Sequence, residues 1–241
     1  MHQVLRRIVP CCAFGLVFLS ATATRAGFIA STTGPVDVIS APASATPGSL
    51  VSNSYQAWDE STGTISSPLQ VNMLGQAGQY DGLTNYSTLN GTLAAGTKYD
   101  SVMVQLDPKT GFPPQSPIAT LTFTGKIIGL ALFGPSLDGS DVYGNPSTTY
   151  PHGLPAIGVQ NRGIDMTHNE KFSVSSDGLT LSLQLAGGFG SFDEIRIFTA
   201  PAVASVPEPM SLAIWSGIGL VVVLKRRSSG LASRLVRFGK I

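Results

Sequence analysis

Residues 179–185 read LTLSLQL, and residues 192–198 read FDEIRIF. The first segment alternates apolar and polar side chains with the period of two that places successive residues on opposite faces of a β-strand. The second segment is also predicted to be a strand. We therefore predict that the leucines of the first segment pack on a hydrophobic core while its polar residues face water. The glycines between the segments favour a hairpin that joins them, and they are Gly187, Gly188 and Gly190.

The rest of the chain between residues 27 and 200 has the same character. Short runs of β-branched residues alternate with clusters of Gly, Pro, Ser and Asn, and no long amphipathic helical pattern is present. We predict an all-β fold, an antiparallel β-sandwich of the jelly-roll-like type, with its core in residues 98–200 and further strands in the Ser/Thr/Pro-rich residues 27–97. The individual predictions are strands at residues 34–40, 99–106, 119–124 and 126–133, and a long surface excursion at residues 134–169.

The N-terminal residues 1–26 have the order of a secretory signal peptide. Two arginines precede an apolar stretch at residues 8–19, and a run of small residues follows it. Small residues at alternate positions suit signal peptidase. Cleavage is therefore predicted between Ala26 and Gly27, with Ala23 as the alternative last residue of the signal.

The exported part of the chain is predicted to be acidic and free of cysteine. Cys11 and Cys12 both lie in the apolar stretch of the signal, which removes disulfides, thiolate metal sites and cysteine nucleophiles from the mature chain. Residues 27–206 carry thirteen acidic side chains against six basic ones, a net charge near −7. Such a charge repels nucleic acid, so nucleic acid is not an expected partner.

The C-terminal region has three parts in a fixed order. A helix over its predominantly apolar run of fifteen residues is about 22 Å long, so it spans the ~30 Å hydrocarbon core only with local thinning and with basic side chains reaching the interface. The positive-inside rule leaves the basic part in the cytoplasm and residues 27–206 outside. The parts are the motif Val206, Pro207, Glu208 and Pro209 in a linker at residues 201–209, a transmembrane helix at residues 210–224, and a basic tail at residues 225–241 that opens with Lys225, Arg226 and Arg227.

This tail resembles the PEP-CTERM sorting signal of exported bacterial proteins. The resemblance implies that the chain is a substrate of an exosortase-type processing enzyme, a membrane cysteine transpeptidase-like protein that cuts near the Pro-Glu-Pro motif. It implies that Pro207, Glu208 and Pro209 are recognition residues. Such tails normally end a few residues after the basic cluster, whereas here residues 228–241 continue. A membrane-anchored protein whose tail is never processed is therefore an open alternative.

Residues 100–199 resemble a recurrent domain of exported bacterial proteins that carry this kind of tail. The resemblance implies a compact β-sandwich and no particular activity. The matching residues include Leu106-Asp107-Pro108, Leu121-Thr122-Phe123, Asn161-Arg162-Gly163 and residues 193–197.

No complete signature of a catalytic, nucleotide-binding or zinc site occurs in the sequence. His152 and His168 have no acidic or cysteine partner at ligand spacing, so we predict that they are surface loop residues. Asp138 and Asp141 lie close together in a turn-rich run, for which calcium is a secondary interpretation because Asp-Gly is first a turn. We predict no cofactor and no metal.

The last predicted strand carries charged residues beside its isoleucines. We expect Arg196 to pair with Asp193 or Glu194 on the exposed surface of the sheet rather than to bind a substrate.

The sequence thus favours a non-catalytic cell-surface or extracellular-matrix protein, with extracellular polysaccharide as a candidate partner. The alternative is a surface hydrolase that acts on glycans through two carboxylates, whose spacing is spatial and not sequential. A cleft lined by two acids and by aromatic residues would favour the hydrolase. The aromatic residues that decide this are Tyr55, Trp58, Tyr143 and Tyr150.

Overall fold

The computed structural model describes residues 28–81, 90–109, 116–153, 162–164, 170–185 and 192–202. A short helix, α1, spans Gly134–Ser140, and a 3₁₀ helix follows it at Asp141–Tyr143. The strands are β1 (Ile29–Thr33), β2 (Val36–Val38), β3 (Tyr55–Thr64), β4 (Leu69–Val71), β5 (Met73–Leu74), β6 (Gly78–Asp81), β7 (Gly91–Leu93), β8 (Lys98–Leu106), β9 (Ala119–Phe123), β10 (Ile127–Ala131), β11 (Lys171–Val174), β12 (Thr180–Gln184) and β13 (Asp193–Thr199).

The strands build two large sheets and one small sheet. A five-stranded sheet has the order β1-β9-β12-β11-β6, a six-stranded sheet has the order β2-β3-β8-β13-β10-β5, and β4 pairs with β7. Every described strand pair is antiparallel except β2 with β3. The predicted all-β class is confirmed, and β8, β9 and β10 agree with the strands predicted there.

The two large sheets share one hydrophobic core. Leu181, Leu183 and Leu185 belong to the same buried cluster as Ile197 of the six-stranded sheet. Burial of a side chain of this size contributes about 1.5–3 kcal/mol relative to its exposure to water. Leu179 lies just before β12 and is half-buried. The alternating pattern therefore identified the core-facing side of this segment.

The predicted hairpin between the last two segments is wrong. β12 pairs with β9 and β11 in the five-stranded sheet, whereas β13 pairs with β8 and β10 in the six-stranded sheet. The chain crosses from one sheet to the other after Gln184 instead of turning back on itself. An alternating pattern specifies which face of a strand is apolar, but it specifies neither the partner strand nor the sheet.

The excursion after β10 covers the second face of the six-stranded sheet. Its residues Leu137 and Tyr150 lie in one buried cluster with Trp58 and Met103 of the sheet. The described part of residues 134–169 runs over the outside of this sheet and forms a third layer, in which the inward-facing side chains are buried. Since both faces of this sheet are covered, every residue of β13 is buried.

Strands from both sides of residue 98 share each large sheet. β3 pairs with β8 along most of its length, and β1 pairs with β9. The Ser/Thr/Pro-rich region therefore supplies strands to the same two sheets as the rest of the chain.

The predicted targeting segments fall outside the described residues. They are the signal peptide at residues 1–26, the part of the linker beyond residue 202, the apolar run at residues 210–224 and the basic tail at residues 225–241. Within the described ranges, no helix combines the length and the hydropathy needed to cross a membrane.

Candidate functional site: a buried ion cluster

A β-bulge places Glu60 on the face of the six-stranded sheet that the excursion covers. Along β3, Asp59 lies opposite Val102 of β8, but the next paired residue is Ser61, so Glu60 is the additional residue of the bulge. Its carboxylate accepts a hydrogen bond from Ser101 Oγ at 2.6 Å. The Glu60 side chain has no exposed surface, and a buried carboxylate requires a cationic partner or protonation.

Arg196 of β13 supplies the positive charge to Glu60. Its Nε and Nη2 donate to the two oxygens of the Glu60 carboxylate at 2.8 and 3.0 Å, which is the bidentate geometry of a strong ion pair. Its Nη1 donates to Asp141 Oδ1 at 2.8 Å, to Ser140 Oγ at 2.7 Å and to the Leu137 carbonyl at 3.2 Å. One fully buried side chain therefore connects the sheet to the excursion.

A second buried arginine, Arg162, binds the neighbouring carboxylates. Its Nε donates to Glu194 Oε2, its Nη1 to Asp138 Oδ1 and Asp141 Oδ2, and its Nη2 to Asp141 Oδ1, each at 2.7 Å. Asp141 thus bridges Arg162 and Arg196. We use the name ion cluster for Glu60, Asp138, Asp141, Arg162, Glu194 and Arg196.

Gly163 positions Arg162 beside the sheet. Gly163 forms an antiparallel bridge with Phe133, and the amide of Ile164 donates to the carbonyl of Leu132 at 2.9 Å. Its φ of +94° is in the region that favours glycine, and an added Cβ would lie 2.2 Å from the Leu132 oxygen. A residue with a side chain would therefore displace this segment and Arg162 with it.

Tyr150 covers the ion cluster on the side of Glu60. Its hydroxyl donates to Glu60 Oε1 and accepts from the Asn145 amide at 2.9 Å, while its ring centroid lies 4.7 Å from Cζ of Arg196. Burial, together with the charge of Glu60, raises the pKa of the Tyr150 phenol, so the hydroxyl remains a donor.

Burial and charge pairing set the protonation states in the ion cluster. Burial by itself lowers the pKa of Arg162 and Arg196, but their carboxylate partners outweigh this effect, and both pKa values are raised. Burial raises the pKa of Glu194 to about 7, although Arg162 opposes the shift. Oε1 of Glu194 has no hydrogen-bond partner among the described residues. The pairing with Arg162 therefore offsets only part of the cost of burying the charged carboxylate.

The ion cluster has the geometry of a structural network. The side chains of Arg162, Glu194 and Arg196 have no exposed surface, and that of Asp141 is 8 % exposed. Asp138, at 32 %, is the most exposed member. General acid–base groups must come within hydrogen-bond reach of a substrate. The arrangement instead holds α1 and the segment around Arg162 against the six-stranded sheet.

Asp138, Asp141 and His152 bring three potential metal ligands within 4.8 Å of one another. However, Asp138 Oδ1 and Asp141 Oδ2 both accept hydrogen bonds from the same guanidinium nitrogen of Arg162. A divalent cation there would lie against that positive charge. Both aspartates are thus already bound by Arg162, and Asp141 also by Arg196, so we assign no metal to these three residues. His152 is exposed, as predicted for a loop histidine, and His168 lies outside the described residues.

The aromatic residues singled out in the sequence lie in three separate buried clusters. Tyr55 belongs to the core between the sheets, Trp58 and Tyr150 to the layer under the excursion, and Tyr143 to a third cluster. None is more than 8 % exposed. Tyr150 contacts Glu60, but the four rings do not line a common cleft.

The structure pairs Arg196 with Glu60 and Asp141 instead of the predicted Asp193 or Glu194. The prediction failed because a polar side chain on the second face of a strand was expected to face water, and the third layer was not recognised. Glu60 and Arg162 were not predicted as site residues. Of the six basic side chains in residues 27–206, those of Arg162 and Arg196 are fully buried. The only sequence signal for Arg162 was its position in the Asn-Arg-Gly run.

The predicted targeting residues are not placed by the structure. They lie outside the described ranges, and they are Ala26 and Gly27 at the signal cleavage site, Val206, Pro207, Glu208 and Pro209 in the sorting motif, and Lys225, Arg226 and Arg227 in the basic cluster.

A groove of about 310 Å³ lies against β6, β11 and β12, away from the ion cluster. Asp81, Lys171 and Gln184 stand in register across these three strands and line it. Two residues further along each strand, Gln79, Ser173 and Ser182 form the next row on the same face and also line the groove. The groove therefore offers carboxylate, amine, amide and hydroxyl groups on a sheet surface.

Comparison of this chain with protein-family models, with curated proteins and with solved structures found no match.

Proposed function

We propose that the chain is an exported protein of the cell envelope or extracellular matrix and a sorting substrate of an exosortase-type enzyme, with a non-catalytic β-domain. The C-terminal helix anchors it in the membrane before any processing. Outside the cell, the domain has a binding or a structural role. The tail is the part on which the sorting enzyme acts.

The observation that carries this proposal is the position of the three-part tail directly after the last strand that the structure describes. β13 ends at Thr199, and Pro207 follows eight residues later. At the reach of an extended chain this linker covers at most roughly 28 Å. A membrane-inserted tail would thus hold the two sheets near the outer membrane surface with the Pro-Glu-Pro motif between them and the lipid.

The ion cluster supports the non-catalytic part of the proposal. Its carboxylates are bound by arginines and covered by the excursion, and the aromatic residues that would line a glycan cleft are buried in separate clusters. The alternative, a hydrolase that acts on glycans, would need an accessible pair of acids. Asp138, the most exposed acid of the cluster, is bound to Arg162.

At the level of the fold, we propose that the two large sheets form an antiparallel β-sandwich of the jelly-roll-like type. The shared core supports this assignment. A second support is the path of the chain, which changes sheet at each step from β8 to β11. The hydrogen-bonding groups of the groove at β6, β11 and β12 support extracellular polysaccharide as the class of partner.

The intact mass of the protein recovered from its native cell surface or medium tests the proposal. A chain that begins at Gly27 and ends near Pro207 is the expected result. The Glu208→Ala variant should retain Ile241 as its last residue, whereas the neighbouring Ser205→Ala control should be processed like the wild type. A wild-type product that still ends at Ile241 would overturn sorting and favour the permanently anchored alternative.

A further inference from the structure

Asp59 binds the start of the first strand. Its Oδ2 accepts a hydrogen bond from the amide of Phe28 at 3.0 Å, and its Oδ1 accepts one from the amide of Ile29 at 3.3 Å. Asp59 is thirty-one positions later in the chain and belongs to the other large sheet. Two successive backbone donors therefore converge on one carboxylate at the point where β1 begins.

Phe28 is also bound on its other side. Its carbonyl accepts a hydrogen bond from the amide of Thr124 at 3.0 Å, and its ring belongs to the core between the sheets. β1 then pairs with β9 from Ile29 onward. The backbone of Phe28 thus connects β3 of one sheet with the end of β9 of the other.

Covalent geometry links this contact to the predicted cleavage site. The residue before Phe28 is Gly27, and the nitrogens of adjacent residues are no more than roughly 4 Å apart. Hydrolysis of the Ala26–Gly27 bond adds water across the peptide, leaving a carboxylate on Ala26 and a protonated amine on Gly27. The new positive charge then appears next to the amide that Asp59 already accepts.

We propose that Asp59 is a binding site for the α-amino group that signal-peptide removal creates at Gly27. The inference rests on the proposed export and on cleavage after Ala26. Before cleavage, Gly27 contributes an uncharged amide. After cleavage, it contributes a cation with further hydrogen-bond donors, and charge-assisted hydrogen bonds to carboxylates are stronger than neutral ones. Removal of the signal thus stabilises the attachment of β1 to both sheets.

The test measures the pKa of the Gly27 amine in the chain from Gly27 to Ile241, held in detergent and released from a fusion that leaves Gly27 as its first residue. The rate at which a small acylating reagent modifies this amine is followed against pH, and peptide mass spectrometry identifies the modified residue. An opposite charge within about 4–6 Å favours the charged form. We expect a pKa roughly one unit above that of the same amine in urea, a tenfold change in proton affinity.

Three matched chains complete the experiment. Asp59→Asn should return the pKa of the amine to its value in urea. The control Asp81→Asn, which changes an exposed acid, should leave this pKa raised. A chain with Ala26 retained before Gly27 keeps Asp59 and moves the amine away, so its pKa should also be ordinary. This third chain keeps the test decisive if Asp59→Asn does not fold.

An ordinary pKa in the Gly27 chain overturns the inference, as does a raised pKa that survives both Asp59→Asn and the added Ala26. The proposed function has its own readout in the intact mass of the native protein. A native amino terminus other than Gly27 would overturn the role of Asp59 in the cell, whatever the titration shows. A tail that is not cut would overturn sorting and leave the Asp59 site intact.

Discussion

Arg196 and Glu60 are 136 positions apart in the chain and form a buried bidentate ion pair, with contacts of 2.8 and 3.0 Å. The pair spans β8, which lies between β3 and β13 and contributes Ser101 to the same carboxylate. Removal of one partner from such a pair leaves an uncompensated buried charge, which costs more than the intact pair contributes.

Replacement of Arg196 by methionine should lower the free energy of unfolding by about 3–5 kcal/mol, because Glu60 and Asp141 lose their buried donor. Urea denaturation followed by circular dichroism measures the change. The exposed Lys126→Met control should stay within about 0.5 kcal/mol of the wild type. The double variant Arg196→Met/Glu60→Leu should recover part of the loss, and no recovery at all would contradict the buried-charge explanation.

Stability should depend on the protonation of Glu194. Its folded pKa of about 7 lies above its ordinary 4.5, so the folded chain binds this proton more tightly than the unfolded chain does. The contribution of this protonation to the free energy of unfolding is fully present below pH 4.5 and is lost as the pH rises through 7. Relative to Glu194→Gln, the wild type should lose on the order of 3 kcal/mol across this window. Parallel pH profiles of the two proteins, measured by urea denaturation, would contradict the assignment.

Gly163→Ala should destabilise the fold by about 2–4 kcal/mol, through its positive φ and the close approach of a Cβ to the Leu132 carbonyl. Gly139→Ala in α1 is the matched control, since a Cβ there meets no atom within 4 Å. Alanine is also the better helix former, so this control should be neutral or stabilising by up to about 1 kcal/mol. Thermal unfolding of the two variants checks the prediction, and equal effects would contradict it.

Calcium should not stabilise the protein through Asp138, Asp141 and His152, because both aspartates already accept hydrogen bonds from Arg162, whose positive charge would repel the ion. The midpoint of thermal unfolding should be the same within about 1 °C in excess calcium and in excess chelator, since a metal that binds the native state at 100 times its dissociation constant would add about 2.7 kcal/mol. Asp138→Asn should not alter this insensitivity. A clear loss of stability on chelation would show that a metal binds the native chain.

Local patterns were sufficient to predict the class of fold and several of its strands. The period of two along residues 179–185 predicts that the leucines face the core, and the strand predicted at residues 99–106 agrees with β8. The predicted hairpin of β12 with β13 failed because the same pattern is compatible with partners in either sheet. The ion cluster was missed because its members come from β3, the excursion, the segment around Arg162 and β13, which no sequence spacing relates.

The sequence by itself determined the all-β class, the acidic and cysteine-free character of residues 27–206, and the order of motif, apolar run and basic cluster that suggests sorting. These follow from composition and from short-range periodicity, which depend on neighbours along the chain. Only the tertiary structure decided that a third layer covers the six-stranded sheet and that Arg162 and Arg196 are buried with the acids. Burial and charge pairing depend on distances between residues far apart in the chain, and those distances exist only once both sheets and the excursion have packed.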